Sequence, residues 1–389
     1  ESHCILFAIS PEKIHYRSFD LDASLIQNIK RFIDLNGNIS YVQDEKKFRK
    51  SKGQYQQLGH NLYKLLLQSS LHEFSNVQSL LIIPDGLLAY LPFEVLLEKE
   101  ASQPYSYKSF PYLLRKYAIT YEYSASTLCE AIESNRSAEY SYAGFAPEYR
   151  GDDSFLPAGI QKVRKSMPNI SLTKLRFNQE EVQQVAKLMQ GTSVLGGAAT
   201  EYRFKRDADR YDILHLAMHA FLDDDEALKS GLVFSHEEDS LEDGVLHAYE
   251  LYKMDLKAQL VVLSACHTAG GKLARGEGIL SLTRAFKFAG CPNIISSFWQ
   301  ADDKSTQVLM EDFFQQLKTS SSAAESIQAV KLSYLKQASE VQAHPSNWAA
   351  WTLIGDPEAL SSKRTQTSRI LLFFILLLIS GFFIWLYRA

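Results

Sequence analysis

The chain has 389 residues, 46% of them hydrophobic and 22% charged, with a formal net charge of −4. This composition suits two or three folded units and excludes a disordered chain; with no basic stripe, no nucleic-acid partner is expected. Its four cysteines (Cys4, Cys129, Cys266, Cys291) are far apart and form no CxxC or dense disulfide pattern, which points to a reducing compartment. The sequence opens on Glu1 and enters a strand almost at once, so it is expected to be the carboxyl-terminal piece of something longer.

In chain order, alternation and β-branched residues over 5–19 predict a hairpin that turns at Ser10-Pro11-Glu12-Lys13. Amphipathic helices are expected at 23–33 and 54–71. The run 79–83 stops at Pro84-Asp85-Gly86, as a buried strand should, and 91–97 reads as a helix start with Pro92 in its first turn. A strand at 117–123, a helix at 126–134 and a strand at 141–145 follow. Residues 148–172 are polar, contain Gly and Pro, and carry no sustained period; this is the expected internal boundary. Beyond it come a helix at 180–189, a strand at 193–195, a helix at 200–206 and a strand at 211–219 ending on His219. An acidic loop at 223–226 and a strand at 232–235 precede 249–254, which leads into an apolar strand ending at Cys266. A helix at 278–289, a strand at 293–299, long helices at 305–317 and 322–339, and a closing strand at 348–354 complete the series. Strands alternating with helices predict an α/β fold whose parallel sheet is joined by crossovers.

The tail differs in kind. Residues 370–387 carry no charge and are dominated by Leu, Ile and Phe, with Trp385 and Tyr387 near the far end. As a helix that length spans roughly 27 Å, close to the ~30 Å hydrocarbon core of a bilayer. A polar linker, 361–369, separates it from the folded body. Lys363, Arg364 and Arg369 precede it and Arg388 alone follows. A single transmembrane helix is therefore expected, with the large domain facing the cytoplasm.

Chemistry concentrates at two strand ends. Cys266 ends the run Leu260-Val261-Val262-Leu263-Ser264-Ala265-Cys266, and His219 ends a similar run 266 − 219 = 47 residues upstream. A cysteine is a nucleophile as its thiolate, and a neighbouring imidazole can take the proton. Small neighbours and the following Ala269-Gly270-Gly271 leave room around Cys266, while Cys129 and Cys291 lack such surroundings and read as structural. His215 and His219 fall on one face if 211–219 is a single strand. His219 sits at the exit and is the expected base, whereas His215 lies further back and reads as a core histidine. A zinc site from His215, His219 and Cys266 is not expected, because strand residues four apart are ~13 Å apart. No metal and no cofactor are expected.

The ordered set of motifs resembles the CHAT domain, a caspase-like peptidase family often found behind tetratricopeptide repeats. It comprises Leu81-Ile82-Ile83-Pro84-Asp85-Gly86, Tyr90-Leu91-Pro92-Phe93-Glu94, Tyr117-Ala118-Ile119-Thr120-Tyr121 and Asp212-Ile213-Leu214-His215-Leu216-Ala217-Met218-His219. Leu263-Ser264-Ala265-Cys266, Gly276-Glu277-Gly278, Ser297-Phe298-Trp299 and Trp348-Ala349-Ala350-Trp351 follow. The spacing also agrees with the caspase pattern of an Ala-Cys pair and a histidine about 50 residues upstream. The resemblance implies a caspase-like three-layer α/β/α fold, with a degenerate amino-terminal half (1–150) packed on an active half (173–360) across a connecting loop (151–172). It implies a His219/Cys266 dyad, with the backbone N–H groups of Ala220 and Cys266 as oxyanion donors. Ala220 stands where the family pattern usually has glycine. Ser297, Trp299 and Asp302 are the implied substrate contacts. The expected activity is that of a membrane-anchored cysteine endopeptidase acting on protein or peptide substrates, regulated by an upstream sensor or tetratricopeptide repeats. The alternative is a catalytically weak or inactive signalling scaffold that binds protein partners.

Overall fold

The computed structural model describes residues 3–134, 140–149, 157–166, 172–223, 225–235, 242–264, 266–267, 277–299, 302–320 and 322–360. The apolar segment 370–387 and its linker lie outside these residues. Among the described residues no helix is long and apolar enough to cross a membrane.

The chain opens with the predicted hairpin, β1 (His3–Ile9) and β2 (Ile14–Asp20), which forms its own two-stranded sheet. The main sheet contains β3 (Ser79–Ile82), β4 (Ala118–Tyr121), β5 (Tyr142–Ala146), β6 (Thr192–Leu195) and β7 (Ile213–Leu216). A smaller sheet begins with β8 (His219–Phe221), β9 (Gly231–Val233) and β10 (Val245–His247). The chain returns to the main sheet in β11 (Leu260–Leu263), adds β12 (Cys266–His267) to the small one, and closes the main sheet with β13 (Ile294–Ser297) and β14 (Trp351–Ile354). The main sheet runs β3-β4-β14-β13-β11-β7-β5-β6 and the small sheet β10-β9-β8-β12.

Period-two alternation divides the core. Leu260 and Val262 of β11 join Ile213 and Ile295 on one face of the sheet, beneath Phe313 and Phe314 of helix Asp303–Leu317 and Val330 of helix Ala323–Gln337. Val261 and Leu263 join Leu214 and Ile294 on the other, against Phe204 of helix Glu201–Asp207 and Leu282 and Phe286 of helix Glu277–Phe288. A strand apolar on both sides is a strand covered on both sides. The result is a three-layer α/β/α arrangement.

The pairings in the main sheet are parallel except β13–β14, so β3-β4-β14 runs against β13-β11-β7-β5-β6. Residues 1–150 and 173–360 share one sheet: β4 pairs edge to edge with β14, and β5, placed before the boundary, lies between β7 and β6. The buried ion pair between Glu94 and Lys331 (2.6 Å) joins the two regions as well.

The helix expected at 91–97 is reduced to one 3-10 turn, Phe93–Val95. Leu91, Phe93, Val95, Leu96 and Leu97 are all buried together with Glu94, so the segment has no polar face for a surface helix to present. Conversely, the polar stretch 148–172 contains helix Ala158–Ser166, which seats Ile160 in the second core.

Candidate functional site

The histidine run is not one strand. β7 ends at Leu216, and β8 begins at His219 in a different sheet. Helix Asn178–Met189 stabilises the break: the Asn178 side-chain amide donates to the carbonyls of Pro147 (2.9 Å) and Ala217 (3.1 Å). That helix comes close to β5 because Gly144 has no side chain; a Cβ there would lie 2.6 Å from Val182. The cysteine run breaks in the same way, into β11 and β12.

The register survives both breaks. In the main sheet Leu263 pairs with Leu216, and in the small sheet Cys266 pairs with His219. Both offsets are 47 residues (263 − 216 and 266 − 219), so the sequence spacing is the strand register itself. Cys266 and His219 are therefore lateral neighbours on adjacent parallel strands, whose axes lie about 4.8 Å apart. The backbone of Cys266 and His267 is described; their side chains, and residues 268–276, lie outside the described set.

His219 is buried, and its ring is held from two directions. Nε2 lies 2.7 Å from the Thr173 carbonyl oxygen. That oxygen can only accept, so Nε2 carries the proton and Nδ1 presents a lone pair. Nδ1 is buried and has no hydrogen-bond partner among the described residues. Desolvation by burial lowers the imidazole pKa, against the opposing pull of the Thr173 carbonyl, so the ring is neutral at physiological pH. The backbone N–H of His219 donates to the Tyr149 hydroxyl (3.0 Å), which donates in turn to the Val233 carbonyl (2.5 Å). The Tyr149 ring packs on the imidazole with centroids 4.4 Å apart. Sequence reasoning missed Thr173 and Tyr149: one acts through its backbone, and the other is a lone tyrosine at the edge of a stretch read as loop.

His215 is a satisfied core histidine. Nδ1 meets the Tyr142 hydroxyl at 2.9 Å, while Nε2 meets Glu181 at 2.8 Å and the Ser264 hydroxyl at 3.1 Å. Serine, histidine and glutamate are thus together, but the acid and the hydroxyl share one nitrogen, whereas a nucleophilic triad needs them on opposite nitrogens. Among the described residues, the group whose geometry could hold a metal is Glu201, Glu242 and Glu250. The Lys205 ammonium bridges these carboxylates at 2.7, 2.7 and 2.8 Å, and burial pushes the Glu201 carboxyl up to about 7.

The other implied site residues have structural partners. Ala220 is buried in extended β8, between Leu232 of β9 and His267 of β12, and not in a left-handed conformation. Ser297 is buried in β13 opposite Trp351. The Trp299 indole N–H donates to the Ser346 carbonyl (3.2 Å), and its ring lies over Gly37. Asp302 caps helix Asp303–Leu317, accepting from the Ser305 N–H at 2.9 Å and its hydroxyl at 3.1 Å. No described contact joins Ser297, Trp299 or Asp302 to His219. In the acidic loop, Asp223 folds back on the N–H groups of Asp225 (3.1 Å) and Glu226 (2.8 Å).

Fold and site together define an α/β protein with a histidine and a cysteine on adjoining strands just past the carboxyl ends of the central strands β7 and β11 of a largely parallel sheet. The chain belongs to the CHAT domain family, which it matches over residues 56–356. It is 24% identical to human tetratricopeptide repeat protein 28 over 331 residues, which is 76% of this chain and 12% of that protein. It is 32% identical to the mouse protein of the same name over 131 residues, 33% of this chain and 5% of that one. The chain thus corresponds to a small part of either relative. Among solved structures, it is similar to the Saccharomyces cerevisiae separase–securin complex (14% identity, TM-score 0.44, 85% of this chain and 20% of that one). It is also similar to the Arg-specific cysteine proteinase gingipain R (12% identity, TM-score 0.42, 86% and 75%).

Proposed function

We propose that this chain is a cysteine endopeptidase with His219 as base and Cys266 as nucleophile. The observation that carries the proposal is the register: Cys266 is the strand neighbour of a buried, neutral imidazole whose Nδ1 lone pair has no described partner. Nδ1 takes the thiol proton, and the thiolate forms a C–S bond with the substrate carbonyl. As the C–N bond breaks, the imidazolium returns its proton to the leaving amine. Water then hydrolyses the thioester, with His219 again as base. The Thr173 carbonyl keeps Nε2 protonated and the ring oriented throughout, the part a third group plays in such dyads. The expected oxyanion donors, the N–H groups of Ala220 and Cys266, stand on the same two strands. Cys266→Ala is expected to abolish cleavage of protein substrates; cleavage that persists would remove the activity from this dyad.

The curated relatives are named for tetratricopeptide repeats. We infer that the chain works within a longer polypeptide whose repeats bind protein partners and regulate the site. Residues 370–387 anchor it, with the large domain on the cytoplasmic face, an assignment that rests on their uncharged length and the preceding Lys363, Arg364 and Arg369. Truncation after Ser368 should release the protein from membranes; a truncated protein that still sediments with them would refute the anchor.

A further inference from the structure

We propose that Tyr149 is a positioning residue for His219, an inference that rests on the dyad reading above. Val233 is the β9 partner of His219 in the antiparallel small sheet. At that rung the Tyr149 hydroxyl accepts from the His219 N–H and donates to the Val233 carbonyl, so a side-chain oxygen bridges the two strands. The rung lies at the amino-terminal end of β8, immediately after the chain leaves the main sheet at Leu216. Tyr149 thereby sets how far β8 stands from β9 at the residue that presents the imidazole, and its ring backs that imidazole at 4.4 Å.

The phenol is suited to this role. Tyr149 is buried, and burial raises its pKa well above the ordinary tyrosine value, so it remains a neutral hydroxyl able to accept one hydrogen bond and donate another. Thr173 fixes the outer ring nitrogen and Tyr149 fixes the backbone behind it, which defines both the depth and the orientation of the ring. Tyr149→Phe removes the bridging oxygen. His219 N–H and Val233 C=O must then close the gap or stay unpaired, and either outcome displaces the imidazole relative to β12. A displacement of that order at a reacting group lowers rates by about 10- to 100-fold.

The test is the rate of Cys266 alkylation by iodoacetamide from pH 5 to 9, followed by mass spectrometry, in the full chain and in the His219→Ala and Tyr149→Phe variants. The expected result is a wild-type profile with thiolate reactivity at lower pH than His219→Ala, and a Tyr149→Phe profile shifted towards His219→Ala with a rate at neutral pH about 10- to 100-fold lower than wild type. A Tyr149→Phe profile that overlays wild type overturns this proposal and leaves the dyad standing. If wild type and His219→Ala give the same profile, the dyad reading fails first and the Tyr149 role with it. Should Tyr149→Phe fail to fold, 4-fluorophenylalanine at position 149 fills the volume of the hydroxyl with an atom that cannot donate to the Val233 carbonyl and accepts only weakly from the His219 N–H. An unchanged alkylation profile with that residue also overturns the proposal.

Discussion

Removing one member of the Glu94–Lys331 pair tests whether the chain folds as one unit. The two groups meet at 2.6 Å, both are almost fully buried, and Lys331 also donates to the Trp351 carbonyl of β14. Desolvation opposes both charges: burial raises the Glu94 pKa and lowers that of Lys331, while each partner pulls the other back. Glu94→Ala leaves an ammonium in the core with a single carbonyl. Loss of one partner of a buried pair costs about 3–5 kcal/mol, and the lowered lysine pKa allows relief by deprotonation, so about 3 kcal/mol is expected here. At roughly 2–4 °C per kcal/mol for a domain of this order of size, the melting temperature should fall by about 6–12 °C. Glu94→Leu combined with Lys331→Met removes both charges and should recover most of the loss. Circular dichroism and calorimetry on the full chain make the comparison. A loss below about 1 kcal/mol, or two transitions of which Glu94→Ala moves only one, would refute the account of one shared sheet locked by this pair.

Stability should also fall in acid through His344. Its Nδ1 accepts from the Ser346 N–H at 3.2 Å, and burial lowers its pKa to about 3. An unfolded histidine titrates near pH 6.5, so the unfolded state binds a proton that the folded state refuses. This contribution is complete above about pH 6.5 and is lost as pH falls towards 3, amounting to roughly 2 kcal/mol between pH 7 and 5. His344→Phe, packed against Tyr107 and Phe48, should flatten the dependence by that amount in urea titrations; equal slopes would contradict the buried neutral ring. Ala220→Gly should leave activity unchanged or lower it and cost up to about 1 kcal/mol, because position 220 is extended strand where glycine gains nothing. A more active glycine variant would show that the position needs a left-handed conformation in the working enzyme.

Much of this was legible in the sequence for physical reasons. Leu260-Val261-Val262-Leu263 is apolar on successive residues, so its burial on both faces followed directly. The 47-residue spacing carried the site because it is a register, and a register once set is costly to slip. The split of each run into two strands was hidden, since Ala217-Met218 and Ser264-Ala265 contain no glycine or proline to mark the change of sheet. The three-residue β10 was too short to show a period. Glu94 sat in an apolar run that read as the start of a helix, and its partner Lys331, 237 residues away, left no local signal of a buried ion pair. Thr173 could not be found from its side chain, since it acts through its carbonyl.

The most direct measurement is the labelling of the chain by a thiol-reactive peptide probe, mapped by mass spectrometry over all four cysteines. Cys4, Cys129 and Cys291 each have a thiol pKa raised by burial and should remain protonated and slow at neutral pH. The dyad account predicts selective labelling of Cys266 that falls by about 100-fold in His219→Ala, the usual scale for loss of a general base. Labelling spread over Cys4 and Cys129, or labelling of Cys266 that does not depend on His219, would contradict it.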